Sequence, residues 1–195
     1  LFEQKTQKEI CLTNHFTTMK RNLFFIITAV LFTATVSCSE SAKKEGETIQ
    51  SLEAELFDDE AIFTAEGRNK ALKLVQLYIN YAEKHPEDTI SAHYLFKAAD
   101  ITMNLDNPSK AIDLYNKVIY TYPDFSKAPE CLFLVAYIYE NHLENYGKAK
   151  ELYEMFIDRY PDNDFADDAA ISIRNMGKSP EELIREFEQQ NEGAE

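Results

Sequence analysis

Along most of the chain the apolar residues fall three and four positions apart, the spacing that brings side chains to one face of an α-helix. Leu74, Tyr78 and Tyr81 are followed by Pro86, Ala111, Tyr115 and Val118 by Pro123, and Ala149, Tyr153 and Phe156 by Pro161. In each set a tyrosine stands eight residues before the proline, and the prolines are 37 and 38 residues apart. Proline cannot continue a helix, so each set reads as a helix stopped at a set place. A period of this length belongs to stacked helical hairpins. Ile49, Leu52 and Leu56 keep the helical spacing and predict a helix over 47–57 as the first arm of the first hairpin. Residues 164–176 predict a last first-arm helix, with Asp164 or a neighbour as its cap. Ser179-Pro180-Glu181-Glu182 then opens a final helix with serine at the N-cap, proline at N1 and glutamate at N3. There Leu183, Ile184 and Phe187 are expected to face inward while the charged residues stay wet, as a solubilising cap on an open stack. The expected fold class is all-α: an α-solenoid of about four stacked hairpins, without a sheet, preceded by a cleaved signal peptide.

Composition agrees with continuous helices, because five Gly and six Pro in 195 residues leave little for frequent turns. The front of the chain follows a different pattern. Residues 1–18 show neither amphipathic period nor export character and are expected to be translated sequence upstream of a start at Met19. Residues 19–37 read as a signal peptide: Lys20 and Arg21 are the positive region, Leu23 to Phe32 the apolar one. That apolar run is too short to cross a bilayer as a stable helix, which takes about 20 residues. Residues 38–47 carry no large apolar side chain and are expected to form a flexible tether, or else the frayed start of a helix. The helical domain is expected over 48–190 and a disordered tail over 191–195.

Offset by 38 without a gap, the two best units match Tyr94 with Leu132, Ala98 with Ala136, Ala111 with Ala149, Tyr115 with Tyr153 and Pro123 with Pro161. This resembles the tetratricopeptide repeat (TPR), with its small residue in helix A and its alanine, aromatic and closing proline in helix B. Tyr122-Pro123-Asp124 and Tyr160-Pro161-Asp162 are similar to the extended repeats of bacterial envelope lipoproteins of the β-barrel assembly (BamD-like) and cell-division coordinator kinds. Thr35-Val36-Ser37-Cys38 resembles a relaxed lipobox, which implies that Cys38 is acylated, with palmitate among its lipids, and begins the mature protein. The plain alternative is an ordinary signal peptide with an incidental cysteine. Ser39 after it implies sorting to the outer membrane, as in lipoproteins of the enterobacterial sorting pattern, and the body is expected to face the periplasm rather than the outside.

The net charge of −14 excludes one partner class, since an acidic surface repels nucleic-acid phosphates. It also denies the body an affinity for anionic lipid, so the membrane is expected to be reached through Cys38 alone. His85, His93 and His142 are dispersed and form no catalytic or metal-ligand motif, and Cys131 sits in an apolar run as a small buried hydrophobe. Asp162, Asp164, Asp167 and Asp168 miss the calcium-loop pattern and suit a helix start instead. No catalytic residue, metal or cofactor is expected. In the TPR pattern the inner face of helix A lines a groove, which implies contact residues Leu95, Ala99, Thr102 and Met103 in one unit and Phe133, Tyr137, Glu140 and Asn141 in the next. That groove is either open to a protein or peptide partner or filled by terminal helices. The resemblance implies a non-catalytic scaffold for protein–protein contact in the envelope, with a role in outer-membrane assembly. The alternative is an envelope lipoprotein that binds a small ligand or glycan through a pair of exposed tyrosines.

Overall fold

The computed structural model describes residues 40–56 and 64–192, with the backbone alone for 190–192. Expectations for residues 1–18, for the signal at 19–37, for Cys38 and for the final three residues lie outside them. The chain divides into two units, Leu1–Thr48 and Ile49–Glu195. In the first, residues 40–48 are helical. Opposite charges four apart (Glu40 with Lys44, Lys43 with Glu47) favour that helix. Local bonds add to it, from Ser41 Oγ to Glu45 Oε1 (3.1 Å) and from Thr48 Oγ1 to the Lys44 carbonyl (2.9 Å).

The second unit opens with helical residues 49–56 (α1), whose Ile49, Leu52 and Leu56 are all buried. Seven helices follow: α2 (Ala65–Lys84), α3 (Ile90–Asn104), α4 (Pro108–Thr121), α5 (Ala128–Asn141), α6 (Tyr146–Arg159), α7 (Ala166–Asn175) and α8 (Pro180–Glu192). Among the described residues there is no strand. Consecutive helices from α2 to α7 pack on one another, so the unit is an all-α, TPR-like solenoid.

The three prolines act alike. His85, Tyr122 and Tyr160 close α2, α4 and α6 with nearly the same backbone angles, φ between −126° and −134° and ψ between 55° and 59°. Each N–H still bonds the carbonyl four residues back. The helix then stops, because the following proline disfavours helical geometry in the residue before it. Two successive turns complete each linker. Asp88, Phe125 and Asn163 donate to the carbonyls of His85, Tyr122 and Tyr160, and Ser91, Ala128 and Ala166 donate in turn to Asp88, Phe125 and Asn163. Before α7 it is Asn163, not Asp164, whose side chain serves the turn, accepting from the Phe165 N–H at 3.0 Å.

The helix B arms start on side-chain caps. Thr64, Asn107 and Asn145 accept from the N–H of Gly67, Lys110 and Lys148. Between α3 and α4, and again between α5 and α6, a non-glycine residue turns the chain at positive φ, Asp106 at 61° and Glu144 at 47°. These tips correct the ungapped superposition. Asn107 N–H bonds the carbonyl of Thr102, five residues back, while Asn145 N–H bonds that of Tyr139, six back. Asn104 bonds the Asp100 carbonyl as Asn141 bonds that of Tyr137. The A helices are therefore 37 apart and the B helices 38, with the extra residue held in the tip. In helix A, Leu132 corresponds to Leu95 rather than to Tyr94.

Helix B matches as expected: Ala111, Tyr115 and Val118, and Ala149, Tyr153 and Phe156, are at most 2% exposed. In these two hairpins the alanines are fully buried between the arms, and in the first hairpin Leu74 takes the same place, also fully buried. At the far end Ser179 and Glu182 form the reciprocal capping box, with N···O distances of 2.8 and 3.2 Å. The helix that follows departs from expectation, since Leu183 is only half-buried and Ile184 and Phe187 are 59% and 66% exposed. It also runs to residue 192, past the expected start of the tail. Replacing Ala149 with Trp is expected to lower stability by about 1–3 kcal/mol or more through overpacking. An unchanged melting temperature would place Ala149 outside the seam.

Candidate functional site: the face of the A helices

In the first three hairpins one buried helix B tyrosine meets a carboxylate on the helix A of the same hairpin, while Tyr81 on α2 donates to Asp88 in the following linker at 2.6 Å. Tyr78 donates to Glu53 on α1, Tyr115 to Asp100 on α3 (2.5 Å) and Tyr153 to Glu140 on α5 (2.8 Å). A phenol ring is large enough to fill the seam, but its hydroxyl then needs a partner near the far side. The carboxylates supply it. Burial, followed by the carboxylate acceptor, pushes the Tyr78 and Tyr115 phenols far above the usual range. For Tyr153, burial and Glu140 outweigh an opposing bond from Ser172. Asp100 is itself raised by burial, against the lowering effect of its Tyr115 bond.

Charges gather around these acceptors. Lys97 pairs with Glu53 at 2.7 Å and lies 6.0 Å from the Tyr78 ring centre. Lys127 pairs with Glu130 at 3.1 Å and stands 4.5 Å over Phe96. Asp100 feels both Glu130 and Lys127, so the row is continuous from α3 to α5. Beneath it are aromatic contacts: Tyr78 stacks on Tyr94 at 5.0 Å, Phe96 meets Tyr115 edge-on at 5.9 Å, and Phe133 touches Tyr153, Phe156 and Phe165 at 4.9–5.7 Å. Such pairs add about 0.5–1.5 kcal/mol each beyond their burial. The A face thus presents alternating charge on a rigid aromatic floor.

The expected groove residues divide between α3 and α5. On α5, Tyr137 is 43% exposed, Asn141 is exposed, and Phe133 and Glu140 are half-buried. On α3, Leu95, Ala99 and Thr102 lie in the core and offer nothing to a partner, while Met103 is half-buried. The difference follows from the register. A 37-residue step pairs Phe133 with Phe96, Tyr137 with Asp100 and Asn141 with Asn104, and at those positions Asp100 is half-buried and Asn104 exposed. The spacing of 37 between Pro86 and Pro123 already signalled this step. Glu53, Lys97, Lys127 and Glu130 had no such signal, because a surface ion pair leaves no period in the sequence. Of the A-helix tyrosines, Tyr94 is buried and Tyr139 half-buried, so Tyr137 has no exposed companion there to sandwich a sugar ring.

A cavity of about 400 Å³ lies at the α4–α5 linker, lined by Thr89, Ala92, His93, Tyr122, Pro123 and Phe125 among others. His93 on its wall packs edge-on against Phe125 at 4.6 Å. Cys131 is fully buried and its thiol is pushed up by burial, as suits a packing residue rather than a nucleophile. Among the described residues no group of acidic, histidine and cysteine side chains has the arrangement of a metal site, and no helix is long and apolar enough to cross a membrane.

The tetratricopeptide repeat family model matches residues 94–124 and 130–163. The first match covers most of α3, all of α4 and the turn after it, and the second most of α5 and all of α6. The curated proteins contain no match to the chain.

The buried phenols set a pH limit on the fold. Their folded values are raised, so the stability they give is complete below the ordinary tyrosine value of about 10 and is lost as pH rises beyond it. Tyrosinate absorbance of Tyr78, Tyr115 and Tyr153 is expected to appear together with loss of helical circular dichroism. Titration of all three in a folded protein would contradict the burial.

Asp100 has a consequence of the same sign, but at lower pH. Its raised value means that its contribution is greatest below the ordinary carboxylate value and falls as pH rises through the folded one. Asp100→Asn keeps an oxygen for the Tyr115 hydroxyl and removes the ionisation. It is expected to be as stable as the parent or more so at neutral pH, with the difference vanishing in acid. Urea unfolding across that range measures it, and a constant difference would count against the assignment.

Proposed function

We propose that this TPR-like solenoid is a non-catalytic scaffold for protein–protein contact, held at the cell envelope by lipid on Cys38. The observation that carries the reading is the pair of tandem repeat matches on the two hairpins whose A helices form the charged, aromatic-floored face. Such a face suits a partner recognised by matched charge and one or two aromatic anchors. Tyr137, exposed beside the His142 ring at 6.1 Å, is the anchor on α5. The carboxylates that a hydrolytic reading would recruit, Glu53, Asp100 and Glu140, are engaged as acceptors for structural tyrosines. The positive and apolar segments before Cys38 support export, and Ser39 supports the outer membrane; the body is read as facing the periplasm. There the scaffold serves outer-membrane assembly by holding a client or a subunit near the lipid.

Two measurements test this. Cys38→Ala is expected to abolish incorporation of radiolabelled fatty acid and to release the body from membranes, and unchanged labelling would remove the anchor from the proposal. A photocrosslinking residue at Tyr137 is expected to capture a discrete protein in intact cells, whereas the same residue at exposed Asp113 on α4 should not. Equal capture at both positions would remove the A face.

A further inference from the structure

The apolar stripe of α8 is the feature that the scaffold leaves unused. Its N-cap, Ser179, holds the place that Asn107 and Asn145 hold on α4 and α6. Counted from these caps, Phe187 falls on the position of Tyr115 and Tyr153, and Leu183 on that of Ala111 and Ala149. In the earlier hairpins those positions are at most 2% exposed. In α8 leucine stands at the alanine position, as Leu74 does on α2, but here the stripe is left bare: Leu183 is half-buried, and Ile184 and Phe187 are 59% and 66% exposed.

We propose that this seam, Leu183 with Ile184 and Phe187, docks a basic amphipathic helix of another protein. The position itself points to a helix, because the equivalent seams of α4 and α6 are covered by packed helices. Charge selects which helix. Glu181, Glu182 and Glu188 are exposed beside the stripe and Glu186 is half-exposed, against Arg185 on the same helix and Lys178, which pairs with Glu186 at 2.7 Å. A second copy would bring a like-charged flank against this one, and an anionic lipid surface would be repelled. A helix with leucine in its seam and lysine or arginine at its flanks meets neither obstacle. The inference rests on the protein-contact reading but uses a different surface from the A face, so the two can fail separately.

The test uses the full chain and two synthetic helical peptides with one leucine stripe, flanked by Lys and Arg in one and by Glu in the other. Fluorescence anisotropy is expected to show the basic peptide binding at least about tenfold more tightly than the acidic one. The double variant Ile184→Asp with Phe187→Asp is expected to weaken the basic peptide by about tenfold or more. Simple attraction between opposite charges would predict the reverse, since that variant is more acidic. Phe187→Ala is the milder second variant, and circular dichroism checks that both stay helical. Equal or tighter binding by the aspartate variant would overturn the proposal. So would self-association in sedimentation equilibrium, or binding to anionic or neutral vesicles, that depends on Ile184 and Phe187. Loss of the α8 result with Tyr137 crosslinking intact would leave the scaffold standing.

Discussion

A tyrosine hydroxyl meeting a carboxylate across each of the first three hairpins is the constraint on which this solenoid depends. The ring is buried in the seam, one turn along helix B from Leu74, Ala111 or Ala149. The hydroxyl must then find an acceptor before it reaches water, and Glu53, Asp100 and Glu140 are those acceptors. Removing an acceptor would leave a phenol buried without a partner, which costs more than the bond itself is worth. Each pair also fixes the outward position of a carboxylate. Packing inside the hairpin and charge on its face are therefore two ends of one side-chain contact.

That coupling orders the A face before any partner arrives. Lys97 and Lys127 are already paired, and Lys127 already lies over Phe96. A partner meeting this surface finds charges whose side-chain freedom has largely been spent, so less entropy remains to be lost on binding. The stiffness comes from the core, because the aromatic rings beneath belong to the hairpin seams.

Much of this was legible in the sequence, and where reading stopped has physical causes. Helix B could be read residue by residue, since Ala111 with Ala149 and Tyr115 with Tyr153 fill geometrically identical seams. Helix A could be read only to within one position, because both of its faces carry apolar residues and its period tolerates a slip. Leu95 and Thr102 consequently looked like groove residues and are core. The tyrosine acceptors were invisible because they sit at different places along their helices, 25, 15 and 13 residues before their tyrosines. The last helix showed its cap plainly, but no local pattern distinguishes an apolar stripe that is covered from one that is bare. At the other end, residues 40–47 looked too polar to order, and opposite charges four apart favoured helix.

The hairpin tips at Asp106 and Glu144 bear on how such a chain can change. One tip holds a residue more than the other, yet the seams on both sides keep the same fillings. Length can therefore be added or removed at a tip without disturbing the core, much as a hinge pin can be lengthened without recutting the door. Repeats of unequal length can share one stack, and the outward face of a hairpin can be rewritten by drift while its inward face is held by alanine and tyrosine.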